Sequence, residues 1–253
     1  MTKTGKSFPA FFMKGANMAI NAAAVWLNTA FADFDLSFTL LVNRLEQLAG
    51  GFLTPFMEFV SFLCHDGIPL IILSLVLMLF SRTRRFGTAM LAGIAIGAIF
   101  TNCCLKVLIA RPRPYADETS VFYKLWTTVG CNTESDKSFP SGHTTAAFAA
   151  MTSLFLATKN KKVSWTCFLF AILVGISRIY LVVHYPTDVI AGVIVGIIAG
   201  MLGYLVMIRI PRRFYESRKP LSFLNKNGGS VKKEDKAKNT GSVKRSKGGA
   251  HCR

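Results

Sequence analysis

The sequence predicts an all-α fold: a polytopic membrane bundle of about six transmembrane helices, followed by a disordered basic C-terminal tail. The first observation is composition. Of 253 residues 51% are hydrophobic, 21 are Phe and only 17% are charged, too apolar in long runs for an ordinary soluble domain. The second is spacing. Charge-free stretches cover 15–32, 67–81, 86–105 and 189–208, while 138–158 is interrupted only by His143 and 163–183 only by Arg178. These are runs of near-bilayer length. The third is the distribution of a net charge of +17. Residues 1–14, 82–85, 159–162 and 209–253 hold 23 Lys/Arg and 3 Asp/Glu, a balance of +20, whereas the remainder holds 7 and 10, a balance of −3. In a soluble protein such a charge would suggest nucleic acid. Confined to alternate inter-helix segments, it follows the positive-inside pattern and argues against nucleic acid, with both termini in the cytoplasm.

Taken in order, 1–14 is a cytoplasmic N-terminus and 15–210 the membrane domain. The first run, 15–32, ends in Ala30-Phe31-Ala32, which has the form of a signal-peptidase site. A cleaved signal is therefore a second reading, although the length of the run and Asn17, Asn21 and Asn28 favour a retained helix. Residues 33–66 mix Asp33, Asp35, Arg44, Glu46, Glu58 and Asp66 with Phe and Leu, which suits an amphipathic helix lying on the outer surface. The run 67–81 is short, so its helix should start earlier and carry His65 and Asp66 near one surface. Segment 109–139, rich in Pro and containing Phe122, Tyr123 and Trp126, reads as an exoplasmic loop with aromatic anchors. The stretch 211–253 is Lys, Gly, Ser and Asn with almost no large apolar side chain after Leu224, and reads as a disordered cytoplasmic tail attracted to anionic lipid. The six cysteines show no metal-ligand spacing and read as small core hydrophobes; a Cys64–Cys131 disulfide on the outer side is conceivable.

Three blocks carry chemistry, each at the outer end of an apolar run, where a mid-helix charge costs roughly 2.5–3.5 kcal/mol and is seldom kept without a role. In the first, Lys106 precedes Arg111-Pro112-Arg113-Pro114. Proline stops the helix and forces its predecessor extended, so that an ammonium and a guanidinium fork can converge on one anion. Taken alone, Lys106 would rather snorkel to headgroups. In the second, Pro140-Ser141-Gly142-His143 starts a helix whose first N–H groups can receive a phosphate, with Ser141 as an added donor and Gly142 permitting close approach. His143, one step inside, can hand a proton to a departing oxygen, though in isolation it would read as an interfacial histidine. In the third, Arg178 requires an anionic partner about two turns from the end of its span. Asp188, four residues after His184, can hold one ring nitrogen as N–H and leave the other as a nucleophile, or simply brace a turn.

The set Lys106-x6-Arg113-Pro114, Pro140-Ser141-Gly142-His143 and Ser177-Arg178-x5-His184-x3-Asp188 resembles the three-part signature of the type 2 phosphatidic acid phosphatase superfamily, whose members include acid phosphatases and vanadium haloperoxidases. The resemblance spans about residues 60–210, and the repeated Arg-Pro leaves the part of Arg111 open. It implies a six-helix lipid phosphatase needing no metal or other cofactor. His184 would attack phosphorus and form a phosphohistidine, Asp188 would orient it, and His143 would protonate the leaving oxygen and then activate water. Lys106, Arg113, Ser141, Gly142 and Arg178 would hold the phosphoryl oxygens. The substrate expected is a lipid phosphate or diphosphate in the bilayer: polyprenyl diphosphate, phosphatidylglycerol phosphate or phosphatidic acid. The setting expected is a bacterial plasma membrane with the site outside. A lipid phosphotransferase would use the same residues. A transporter would instead place its charges near the midplane, and a headgroup-binding scaffold would have no need of His143, His184 and Asp188 together. Oligomeric state stays open.

Overall fold

The computed structural model describes residues 22–49 and 51–216, and among them there is no strand. The expectations for the start of the first run, its possible cleavage as a signal, and the basic tail fall largely or wholly outside these residues. The helices are α1 (Ala22–Ala30), α2 (Ala32–Ala49), α3 (Leu53–Phe62), α4 (Ile68–Leu79), α5 (Arg84–Ala98), α6 (Val121–Thr128), α7 (Gly142–Ala157), α8 (Lys161–Tyr180), α9 (Pro186–Arg209) and α10 (Arg212–Glu216). Beyond α5 the chain continues through a π-helical stretch, Ile99–Leu105, and a last α-turn, Lys106–Ile109.

The centre is α7, packed against α5, α8 and α9, while α5 and α9 also pack on each other. Small residues permit this. A Cβ on Gly203 would lie 2.4 Å from the backbone nitrogen of Gly93, and one on Gly200 would lie 2.7 Å from the Ala149 carbonyl. Backbones approach this closely where membrane helices meet at small residues. Outward, Ile190, Ile194, Ile198 and Leu205 of α9 and Ile68, Ile72 and Leu75 of α4 are exposed, an apolar jacket of the kind a bilayer covers.

Four helical stretches are long and apolar enough to cross a membrane: Leu53–Leu79, Arg84–Ala116, Lys162–Tyr180 and Pro186–Arg209. A fifth counts if α1 and α2, bent by 61°, form one span. The expected span at 138–158 is α7, with 16 residues and so about 24 Å long. It is enclosed by its neighbours and is shorter than the four stretches above.

Several sequence expectations change. Residues 33–66 do not make one amphipathic surface helix. The chain turns at Gly51 (φ +80°), and α3 joins α4 through a single turn, His65–Gly67, as one 27-residue apolar stretch. His65 and Asp66 therefore sit inside that crossing rather than at its start, where Asp66 (φ 50°) and Gly67 (φ 72°) break the helix. α2 is amphipathic in the inverted sense. Asp35, Thr39, Val42 and Asn43 are buried while Phe34, Phe38, Leu41 and Leu45 face outward, as a hydrocarbon surround demands. α8 ends at Tyr180, so Arg178 occupies its last turn rather than lying two turns from its end. The 109–139 loop is not irregular throughout: α6 lies within it, with the Tyr115 and Trp126 rings stacked 4.8 Å apart and the Trp126 indole donating to the Asn132 carbonyl at 2.7 Å. These aromatics pack the loop on itself. Cys64 is buried but Cys103 and Cys131 are exposed, and Cys64 and Cys131 are both free thiols.

Candidate active site

Three helix ends meet at one end of the bundle. Ala110, left-handed at φ 50°, closes the turn that Lys106 opens and leads into the irregular Arg111-Pro112-Arg113 segment, extended at Arg113 before a single turn begins at Pro114. Ser141 is the N-cap of α7: its hydroxyl accepts from the Thr144 hydroxyl at 2.9 Å, and its own N–H donates to the Asp188 carbonyl at 3.1 Å. The Arg178 carbonyl, at the end of α8, receives the N–H groups of Val183 and His184. This folds the 181–185 turn back onto the end of α8. Pro186 then starts α9 and sets Asp188 in its first turn, where the carboxylate accepts from the Tyr185 N–H at 3.0 Å.

All eight expected residues come together at this end of the bundle, and all of them except Gly142 are buried. His184 is 2% exposed. Its Nε2 lies 3.0 Å from Arg113 Nη1; its Nδ1 lies 3.7 Å from Asp188 Oδ2, an ion-pair distance too long for a hydrogen bond, and is buried without a hydrogen-bond partner. A guanidinium only donates, so Nε2 is the acceptor and Nδ1 carries the hydrogen, facing the carboxylate. Burial, then the charges of Arg113, Arg178 and Lys106, hold the His184 imidazolium well below the ordinary histidine range, which keeps the ring neutral. His143 Nε2 is buried without a hydrogen bond. A cavity of about 650 Å³ is lined by Lys106, Arg113, His143 and His184 at its polar end and by Ile71, Ile94 and Ala98 further along. Gly142 also lines it, and a Cβ at this position would lie 3.6 Å from the Lys106 ammonium. Ser141 lies behind this surface, in its capping role.

Further participants were not foreseen. Asp136 pairs with both Lys106 and Arg113, and Glu134 pairs with Arg178. Burial pushes the Asp136 carboxyl up, but the Lys106 and Arg113 partners outweigh it and hold it below the usual carboxylate range. His65 packs edge-on against His143, ring centroids 5.8 Å apart. Arg111, 1% exposed, donates to Asp188 Oδ1 at 2.7 Å and to Asp35 Oδ2 at 2.8 Å. The motif spacing selected Arg113 and gave Arg111 no task. The signal available was the cost of a second buried guanidinium, which needs a buried acid.

Against known proteins, residues 86–212 match the PAP2 superfamily. The chain is 34% identical over 129 residues to the undecaprenyl-diphosphatase BcrC of Bacillus subtilis, covering 51% of this chain and 62% of that one. It is 34% identical over 140 residues to phosphatidylglycerophosphatase B of the same organism, covering 52% and 63%. The match thus spans less than two thirds of these relatives. In structure it resembles a transmembrane PAP2-type phosphatidylglycerolphosphate phosphatase from Bacillus subtilis, with a TM-score of 0.57, 25% identity, and coverage of 80% of this chain and 96% of that one. The matched segment contains Lys106, Arg113, Ser141, Gly142, His143, Arg178, His184 and Asp188, the residues whose helix ends converge on the cavity, and the chain belongs to the PAP2 superfamily.

Proposed function

We propose that the protein is a lipid phosphatase that removes phosphate from a membrane lipid phosphate or diphosphate, working at the exoplasmic face of the membrane through a phosphohistidine. One observation carries the reading: a buried, neutral His184 with Nε2 turned to a cation-lined cavity and Nδ1–H turned to a carboxylate. The Nε2 lone pair forms the N–P bond as the bond from phosphorus to the leaving oxygen breaks, and that oxygen takes a proton from His143. The second step returns the groups to their starting state. Water attacks phosphorus, its proton passes to His143, and the N–P electron pair returns to Nε2 as inorganic phosphate leaves. Lys106, Arg113, Arg178 and the first N–H groups of α7 stabilise the charge on the transferring oxygens, which is where phosphoryl transfer draws most of its rate. The phosphoryl group takes the place that the Asp136 and Glu134 carboxylates fill on the cations. The apolar wall, Ile71, Ile94 and Ala98, suits the first part of a lipid chain rather than a sugar or nucleoside.

The test is phosphate release by the purified protein in lipid nanodiscs from undecaprenyl diphosphate, phosphatidylglycerol phosphate and phosphatidic acid. At least one should turn over, His184→Ala should abolish release while the protein still inserts and folds, and Asp188→Asn should cost orders of magnitude through the wrong tautomer. With three fixed cations in place, activity should survive excess EDTA and be inhibited by vanadate. Turnover by His184→Ala, or loss to chelator restored by magnesium, would overturn the mechanism.

A further inference from the structure

Behind His184 stands a second charge arrangement, entirely buried and linked to elements outside the matched segment. Arg111 uses its whole fork. Nη1 donates to Asp188 Oδ1 and to Thr187 Oγ1, each at 2.7 Å, Nη2 to Asp35 Oδ2 at 2.8 Å, and Nε to Asn28 Oδ1 at 2.7 Å. The guanidinium carbon lies 3.8 Å from the Tyr185 ring centroid. Asp35 is fixed in turn by the Thr187 N–H at 2.9 Å and the Thr187 hydroxyl at 2.8 Å. Asp35 and Arg111 are each 1% exposed and Asp188 is fully buried. Asp35 and Asn28 belong to α2 and α1, upstream of residue 86.

A structural brace would need only one carboxylate for one guanidinium. Arg111 alone would neutralise Asp188 and weaken its pull on the His184 Nδ1–H. With Asp35 added, the chain Asp35–Arg111–Asp188 carries a net charge of −1 on the Nδ1 side of the ring, while the Arg113 guanidinium stands on the Nε2 side. The imidazole is thus held in a field that runs along its N–H to lone-pair axis. Asp188 Oδ2, the oxygen nearest Nδ1, also accepts from the Ser138 hydroxyl and from the Tyr185 N–H; the other polar groups near the ring include Asp136 and Glu134 from the 109–139 loop and His143 from α7. None of these lies between Arg111 and Asp188.

We infer that Arg111 and Asp35 are positioning residues for the reaction, forming with Asp188 a buried carboxylate–guanidinium–carboxylate chain that fixes the tautomer and sets the basicity of His184. This rests on the phosphatase reading, but the chain can be tested apart from turnover. Sign decides it. Asp35→Asn removes a negative charge, disfavours the imidazolium and should move the His184 titration to lower pH. Arg111→Gln removes a positive charge and should move it higher, by roughly half to one pH unit each. The double variant restores the net charge of −1 and should bring it back towards wild type. Arg111→Lys keeps the charge without the fork, so it should leave the titration near wild type while lowering kcat.

The experiment reads His184 by 15N NMR of imidazole-labelled protein in nanodiscs, alongside the pH profile of kcat/KM. Each single variant should lose about 10- to 100-fold in kcat, as partners behind a reacting group typically cost, with KM changed less than about twofold, since binding is left intact. Opposite shifts with recovery in the double variant support the chain. Shifts of one sign, or none, in variants whose melting shows them folded would overturn it even if the enzyme still turns over. Opposite NMR shifts in a protein that hydrolyses no lipid phosphate would support the chain and sink the phosphatase reading instead. Should Arg111→Gln not fold, Asp35→Asn and Arg111→Lys suffice: a downward shift from the first and none from the second supports the chain, and any other pattern overturns it.

Discussion

Lys106, Arg113 and Arg178 each hold a carboxylate of the same short loop, and that loop stands where a phosphoryl group would bind. Asp136 and Glu134 thereby lower the cost of burying three cations at one spot, a cost that would otherwise exceed what a helix end tolerates. They also compete with any anion that enters. Glu134→Gln and Asp136→Asn should therefore tighten vanadate inhibition severalfold, Glu134→Gln more because its partner Arg178 is buried to 3% exposure whereas the Asp136 carboxylate is 46% exposed and screened by solvent. Inhibition curves in nanodiscs read this directly. Unchanged or weaker vanadate binding would mean the carboxylates help to shape the site rather than occupy it. The cations and histidines were legible in the sequence because a charge in an apolar run announces itself. Asp136, Glu134 and Asp35 were not, because an acid in a polar loop or on an amphipathic helix looks like a solvated residue until the tertiary partner is known.

Among the helices, boundaries followed local chemistry wherever proline, a capping hydroxyl or a left-handed turn set them. Pro186 and Ser141 mark α9 and α7 at the residues expected. The breaks at Gly51 and at Asp66-Gly67 were missed: the first has no apolar edge to mark it, the second stands at the start of the 67–81 run but reads as lying inside a longer helix, and each depends on how α3 and α4 meet α7 and α8. The direction in which α2 faces was equally hidden: a helix with one polar stripe reads the same whether water or hydrocarbon surrounds it. Packing between α5 and α9 is set by glycine, which periodicity does not weigh. Gly203→Ala places a methyl 2.4 Å from the Gly93 nitrogen and 2.6 Å from the Ala89 carbonyl, so a backbone must move, at a cost of about 1–3 kcal/mol. The thermal midpoint in detergent should fall by several degrees, while Leu205→Ala, two residues on and facing outward, should change it little. Equal effects at the two positions would mean that α5 and α9 are held apart by something other than glycine contact. Gly203 lies far along α9 from His184, so phosphate release per folded molecule should be unaffected by either change.

For the whole molecule, the arrangement of charge decides which compartment sees the site. The segments joining helices at the end away from His184, 82–85 and 159–162, belong to the group with a balance of +20, and those at the site end to the remainder with −3. Lys and Arg counted over short loops set orientation, so the cavity should open to the exoplasmic leaflet. The lipid presented to it would then carry its phosphate outward, as an exported carrier does after delivering its cargo. Cysteines placed singly within 115–139 and 225–250, in a background without the native ones, report the sidedness in intact cells treated with a membrane-impermeant thiol reagent. Positions 118 and 119, exposed on the outer loop, should label before lysis, and positions in 225–250 only after it. If the tail labels first, the site faces the cytoplasm. Its substrate would then come from the reactions that assemble lipid phosphates on the inner leaflet rather than from those that spend them outside.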